Sequence, residues 1–157
     1  MVAGGYMRRV YADMVADLFH AGHVDFLEKA KALGGCLIVG LHCDEDAAAY
    51  KRRPIMTMDE RARAVGACRY VDEIILDAPL VITAEFMARH RIDLVVHAHH
   101  PEESARFLRF YREPIRMNRF RRLDYSGDLS SSCIISRVLE AAGNEPRVAG
   151  QESLGAK

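Results

Sequence analysis

Arg9-Val-Tyr-Ala-Asp-Met-Val15, followed after four residues by His20-Ala21-Gly22-His23, is the stretch whose reading decides the fold. The first run is short and mostly apolar. The tetrapeptide opens a helical pattern over 24–33, so a strand feeds a helix start with two imidazoles beside the unpaired N–H groups of the first turn. Anionic phosphate collects at such a place, because the amides point outward and the helix dipole adds partial positive charge. Gly22 lets a phosphate approach the backbone, and imidazoles donate to phosphate oxygens or pass protons near neutral pH. The plainer alternative is one helix-capping histidine and one satisfied core histidine.

Strands and helices alternate outward from this join. Residues 10–15 form the first strand, and a helix over about 22–33 places Val24, Leu27 and Ala30 on one side before Gly34-Gly35 stops it. Residues 36–42 read as a second buried strand, and Asp44 and Asp46 start a short helix through Tyr50. Lys51-Arg52-Arg53-Pro54 is a basic loop, and Thr57-Met-Asp-Glu60 is a capping box for a helix to about Cys68. Strand three is 73–76, a helix follows from Thr83 to about Arg91, and strand four is 93–98. Pro101-Glu-Glu-Ser starts another helix, 117–123 is a fifth strand, and Ser130-Ser131-Ser132 caps a last helix over 133–142, stopped by Gly143.

This order predicts an α/β fold, a doubly wound five-stranded parallel sheet with right-handed crossovers. Ligands in such sheets lie at the carboxyl ends of the strands. That rule gathers Asp13 to His23, the Lys51 loop, His97 to His100 and the Ser130 cluster on one edge. The expected organisation is a disordered lead-in over 1–8, one domain over 9–143 and a flexible tail over 144–157.

A chain of 157 residues can bury a core as one domain. Lys+Arg and Asp+Glu both number 22, so no basic field points to nucleic acid. The late cluster Arg112, Arg116, Arg119, Arg121 and Arg122 reads as a solvated face or an anion-binding wall. Cys36, Cys43, Cys68 and Cys133 lack C-x-x-C spacing, and three lie in apolar segments. Buried free thiols, a reducing cytoplasm and no membrane span are expected.

Histidines, a lysine and helix starts without an obvious nucleophile suit phosphoryl or nucleotidyl transfer, where catalysis is positioning and charge neutralisation. His20 and His23 would hold the phosphates of a nucleoside triphosphate as pyrophosphate leaves. Lys51 would clamp them from its loop, and the Ser130-Ser131-Ser132 start would hold the distal phosphates. Taken singly, Lys51 also fits a solvated loop charge and the serines a simple cap.

The residues resemble a known family. Val10-Tyr-Ala-Asp13 through His20-Ala-Gly-His23 is similar to the signature of cytidylyltransferases that act on phosphocholine, phosphoethanolamine and glycerol 3-phosphate. Leu37-Ile-Val-Gly, Asp44-Glu45, Lys51, Asp59-Glu-Arg61, Arg69-Tyr-Val-Asp-Glu73, Ala78-Pro79, Phe86, His90-Arg-Ile-Asp93 and His97 match in order, over roughly 9–142. The resemblance implies a Rossmann-like nucleotidyltransferase of the H-x-G-H type, CTP as donor, magnesium carried in with it, and a homodimer. It implies His20, His23 and Lys51 as catalytic residues. It implies Val15, Ala16, Gly22, Arg69, Tyr125, Leu129, Ser130, Ser131 and Ser132 around the nucleotide, with Asp13, His97 and His99 around the acceptor. Arg69 falls in a segment tied to both dimer contact and nucleotide.

Departures from the family pattern bear on the acceptor. Met14 and Ala16 replace a glycine and an aromatic residue. Tyr125 replaces the arginine that braces the phosphates, for which Arg121 or Arg122 is a candidate substitute. Ala98-His99-His100 replaces a pair of acids. With Leu80 and Glu102 where choline enzymes carry aromatics, no cage for a quaternary ammonium is evident. Choline is disfavoured and ethanolamine weakened although Asp13 remains. A neutral or acidic acceptor is expected, a hydroxyalkyl- or carboxy-phosphonate ranking level with a phosphoalcohol. His97 and His99 share a strand face and would suit zinc with a third ligand, but no partner has the spacing and no metal ligand is assigned. An adenylyltransferase of the same superfamily and a non-catalytic nucleotide-binding module are the alternatives.

Overall fold

In the computed structural model the described residues are 6–99, 104–124 and 129–144. The elements in order are β1 (Arg9–Met14), α1 (Ala21–Lys31), β2 (Cys36–Leu41), α2 (Asp44–Tyr50), α3 (Met58–Gly66), β3 (Glu73–Leu76) and α4 (Ala84–Arg89). They continue with β4 (Leu94–Ala98), α5 (Ser104–Phe107), a 3-10 turn (Leu108–Tyr111), α6 (Arg112–Arg116), β5 (Phe120–Leu123) and α7 (Ser131–Asn144). The five strands form one parallel sheet in the order β3-β2-β1-β4-β5. Strand order reverses between β1 and β4, and there the crossovers diverge to leave a crevice at the carboxyl ends.

The sheet is buried on both faces, as continuous apolar runs require. Val10, Ala12, Leu37, Val39, Leu41, Leu94 and Val96 pack against Phe26, Leu27 and Ala30 of α1 and Val65 of α3. The alternate residues Tyr11, Ile38 and Val95 meet Ile82, Met87, Ile92, Phe107 and Tyr111 on the other side. Gly40 is set by that second layer: a Cβ there would lie 2.1 Å from the Tyr11 hydroxyl oxygen.

Several expectations shift. The last helix runs straight through Gly143, where a Cβ would meet nothing within 4 Å; a glycine costs a helix about 1 kcal/mol but does not end it. The helix expected from Pro101 is instead short α5, the 3-10 turn and α6. Pro114 explains the restart, because its missing N–H is harmless only in a first turn. Asn118, at φ 55°, then turns the chain into β5, which is shorter than 117–123. Of the four free cysteines only Cys36 is buried, the others being partly exposed. At residues 6–8 the Tyr6 hydroxyl donates to Asp93, and the Arg8 carbonyl accepts from the N–H groups of Gly35 and Cys36. The lead-in over 1–5 and the tail over 145–157 lie outside the described residues.

Arg61 closes the carboxyl end of the sheet. Wholly buried, it donates to the carbonyls of Val15 (2.8 Å) and His42 (3.0 Å) and to Asp44 Oδ1 (2.6 Å), tying the ends of β1 and β2 to the start of α2. Arg61→Met should leave two carbonyls and a carboxylate unsatisfied, costing on the order of 3 kcal/mol. Urea unfolding checks this, and a loss under about 1 kcal/mol would contradict the assigned role.

Candidate active site

A cleft of about 640 Å³ opens at the carboxyl ends of β1 and β4. Four segments distant in sequence line it: 13–23, Tyr50 to Arg52, 97–99 and Ser130 to Ser132. Val15, Ala16, Gly22, Lys51 and His99 are among these lining residues.

His20 is the N-cap of α1, in extended conformation, and its Nδ1 accepts from the Gly22 N–H at 3.1 Å. His23 Nδ1 accepts from the His20 N–H at 3.2 Å. The pair forms a capping box in which imidazoles replace the usual hydroxyl and carboxylate. Both Nδ1 atoms therefore carry lone pairs, and each neutral ring holds its proton on Nε2. Burial lowers the pKa of His20. For His23, burial first, then the nearby His20 and Lys51, push it down to about 3 against the opposing pull of Asp17. At neutral pH both rings are uncharged N–H donors on the cleft wall. Phe19 stacks on His23 with centroids 5.4 Å apart. A Cβ on Gly22 would sit 3.0 Å from His20 Cε1 and 3.1 Å from the Leu129 carbonyl oxygen, so this glycine also keeps room for the ring and the approach to α7. Leu129 itself does not line the cleft.

Asp17 fastens the front of the cleft. Its carboxylate accepts from the N–H groups of Ile55 (3.0 Å) and Met56 (2.9 Å) and from Arg52 Nη1 (2.7 Å). Burial alone would raise its pKa, but those donors hold it below the ordinary carboxylate value. The Asp17 carbonyl accepts from Ser131 Oγ at 2.8 Å. Ser130 Oγ takes the Cys133 N–H at 3.2 Å and caps α7. Lys51 is the C-cap of α2, with Nζ 5.8 Å from the Tyr50 ring centroid.

At the back, Asp13 and His97 meet because β1 and β4 pair Tyr11 with Val95 and Ala12 with Val96. Carrying that register one residue further puts Asp13 Oδ1 3.1 Å from His97 Nδ1. Tyr111 Oη donates to Asp13 Oδ1 at 2.7 Å and lies 2.8 Å from His97 Nδ1. Burial would raise the Asp13 pKa; His97, His42 and Tyr111 together keep it lowered, so Asp13 stays a carboxylate. His99, also buried, packs with His97 against Phe107.

Other sequence-derived positions fall elsewhere. Arg69 is exposed on the turn before β3, at the amino ends of the strands and away from the cleft. Tyr125 and His100 lie outside the described residues. Neither Arg121 nor Arg122 lines the cleft, and Arg122 is engaged by the His99 carbonyl and Asp124. The guanidinium that does line it is Arg52, which sequence reasoning had passed over as part of a basic loop. Asp17, His42 and Tyr111 were missed too. The sequence placed Asp17 only within the stretch from Asp13 to His23 and gave it no role of its own. Among the described residues no three His, Cys, Asp or Glu side chains are grouped to hold a metal ion.

Comparison with known proteins shows the family and the fold. A family described as Cytidylyltransferase-like matches residues 12–137. The ethanolamine-phosphate cytidylyltransferase of Arabidopsis thaliana is 42% identical over 138 residues, covering 84% of this chain and 32% of that protein. The choline-phosphate cytidylyltransferase A of Homo sapiens is 41% identical over 133 residues, covering 83% of this chain and 36% of its own. The chain thus spans about a third of the length of the curated relatives it matches. A lipopolysaccharide core biosynthesis protein from Thermoplasma volcanium superposes with a TM-score of 0.62 at 22% identity, over 77% of this chain and 98% of that one, which shows the shared Rossmann-like fold.

The His23 environment makes a pH prediction. Its pKa is depressed from 6.5 to about 3 on folding, so the unfolded state binds a proton that the native state refuses. Stability should therefore fall as pH drops from about 6.5 toward 3, by about 1.4 kcal/mol per unit from this group. His23→Asn should flatten that fall between pH 6 and 4.5, measured by urea unfolding. An unchanged slope would mean that His23 protonates in the folded protein.

Proposed function

The chain belongs to the cytidylyltransferase-like family, and from that premise we propose that it transfers CMP from CTP to a small acceptor bearing a phosphate or phosphonate, releasing pyrophosphate. The observation that carries the reading is the imidazole capping box: two neutral Nε2–H donors fixed at a helix start, facing a cleft that also holds Lys51, Arg52 and the start of α7.

An acceptor oxygen attacks the α-phosphorus in line, a new P–O bond forms, and the bond to the bridging oxygen breaks with its electron pair on pyrophosphate. His20 and His23 donate to phosphate oxygens as charge shifts onto them. Uncharged rings suit this task, because they give hydrogen bonds without surrendering a proton. Lys51 and Arg52 balance the leaving group, and the α7 start with Ser130 to Ser132 receives the distal phosphates. By the family resemblance magnesium enters with the donor, and it is proposed as part of the substrate, bound by the oxygens of CTP.

A phosphoalcohol and a phosphonate rank level as acceptors. The recess beside His42 and His97 is lined by Leu80 and also by Tyr50, Phe107, Phe110 and Tyr111, so aromatic faces are present there and the recess does not count against choline. A homodimer and a cytoplasmic setting rest on resemblance and on the four free thiols. In a dimer Arg69 would act at the subunit contact.

Pyrophosphate release from each of the four ribonucleoside triphosphates, with a panel of phosphates and phosphonates, tests the proposal. Acceptor-dependent release should occur with CTP alone, and His23→Ala should lower kcat by about 100-fold or more while the circular dichroism spectrum is kept. Preference for ATP would make the chain an adenylyltransferase. CTP binding without turnover on any acceptor would make it a binding module.

A further inference from the structure

One anion stands in the path that a triphosphate would take through the cleft. Asp17 adjoins both helix starts: its carbonyl accepts from Ser131 of α7, and its charge acts on His23 of α1. The Asp17 side chain is buried, lines the cleft and stays a carboxylate, because its donors hold the pKa below the ordinary value. Like charges repel more strongly in a cleft than in open water. A polyanion reaching from the two imidazoles to the start of α7 therefore needs that carboxylate covered.

The cover is a guanidinium. Arg52 Nη1 donates to Asp17 Oδ2 at 2.7 Å and to the Arg53 carbonyl at 3.1 Å, while Nε and Nη2 have no hydrogen-bond partner among the described residues. The side chain lines the cleft and is 38% exposed. A guanidinium holds its N–H donors in a planar fork, so those on Nε and Nη2 remain for a phosphate oxygen while Nη1 keeps the carboxylate. We propose that Arg52 bridges Asp17 and the departing phosphates of CTP, touching both at once, with Asp17 as the positioning residue that aims it. This rests on the CMP-transfer reading and deepens it, since one rim charge then has a defined contact and a defined anchor.

The backbone beside the pair fixes the loop that carries it. Asp17 Oδ1 takes the N–H groups of Ile55 and Met56, and the Leu18 N–H donates to Met56 Sδ at 3.1 Å. These bonds fasten the chain within a few residues of the guanidinium. Lys51 is anchored differently, with Nζ 5.8 Å from the Tyr50 ring centroid. An ammonium on a flexible stem acts as a point charge, whereas a guanidinium held by a carboxylate has a set direction.

Calorimetric titration with CMP, CDP, CTP and inorganic pyrophosphate, each with magnesium, tests the assignment. Arg52→Ala should weaken CTP and pyrophosphate by about tenfold to 100-fold, the loss expected for a hydrogen bond between charged groups, and leave CMP unchanged. A cleft deformed by the change would lose CMP as well. Arg52→Lys should recover only part, because an ammonium lacks the parallel donors of a fork. Asp17→Asn decides the positioning role by its sign. Removing a negative charge would by itself tighten a polyanion, whereas a guanidinium no longer aimed should bind CTP more weakly with CMP unchanged. Combining Asp17→Asn with Arg52→Ala separates bracing from neutralisation of Asp17: the double variant should bind CTP as weakly as Arg52→Ala. Recovery of the unaltered affinity in the double variant, tighter CTP binding by Asp17→Asn, or full rescue by lysine would overturn the proposal. An unaltered protein that gains affinity from CMP to CTP, with the same gain kept in Arg52→Ala, overturns it alone. An unaltered protein that binds no cytidine nucleotide overturns the transfer reading with it.

Discussion

Asp17 holds together three segments that nothing else in the sheet obliges to meet. A carboxylate out of water is costly unless donors replace its hydration, and here two backbone N–H groups and a guanidinium do so. Those donors all come from the loop between α2 and α3, which carries three adjacent cations that would otherwise repel one another. The carbonyl of the same residue takes Ser131 at the start of α7. The flanking backbone shows how Asp17 is aimed: Ala16 and Leu18 adopt φ of 59° and 48°, left-handed conformations that cost non-glycine residues on the order of 1 kcal/mol each. Such strain persists only where the surroundings over-determine it, as these bonds do.

With the loops pinned, electrostatics is divided between fixed dipoles and mobile charge. His20 is kept neutral by burial, and His23 by burial together with the nearby His20 and Lys51, so their contribution is directional. Formal positive charge is left to Lys51 and Arg52 on the rim. A polyanion can thereby be held by donors that need no reorganisation as negative charge moves onto the leaving group. The two bonds of the capping box both close the start of α1 and orient the two rings on the cleft wall. A histidine that caps a helix and a histidine with an N–H free to face the cleft, which from four residues alone look like rival readings, are compatible in one arrangement.

What the sequence disclosed follows from range. The join from β1 to α1, the two-sided burial of β1, β2 and β4, and the Thr57 capping box are local patterns, readable within a dozen residues. The segment over 104–116 was not, because its short helices are fixed by Pro114 and by burial of Phe107 and Tyr111 against a sheet face assembled from distant strands. The choice of guanidinium shows the same limit. Arg121 and Arg122 are near the serine run in sequence, yet β5 is the sheet edge and turns Arg122 toward His99 and Asp124. Arg52 is held at the cleft by its bond to Asp17, a contact across thirty-four intervening positions.

The back of the cleft follows from parity in the sheet. Successive strand residues point to opposite faces, and Tyr11, Ile38 and Val95 define the face against which Tyr111 packs. Asp13, His42 and His97 each lie an even number of residues beyond one of these, so all three emerge on that face where the strands end. A slip of one residue in β1 would turn Asp13 toward α1 and leave Tyr111 and His97 without their acceptor. The apolar alternation that buries β1 thus enforces the register that places a carboxylate between two imidazoles. Core packing and acceptor chemistry are set by one constraint, which is why this end of the site can be rigid while the cation-bearing rim depends on a single aspartate.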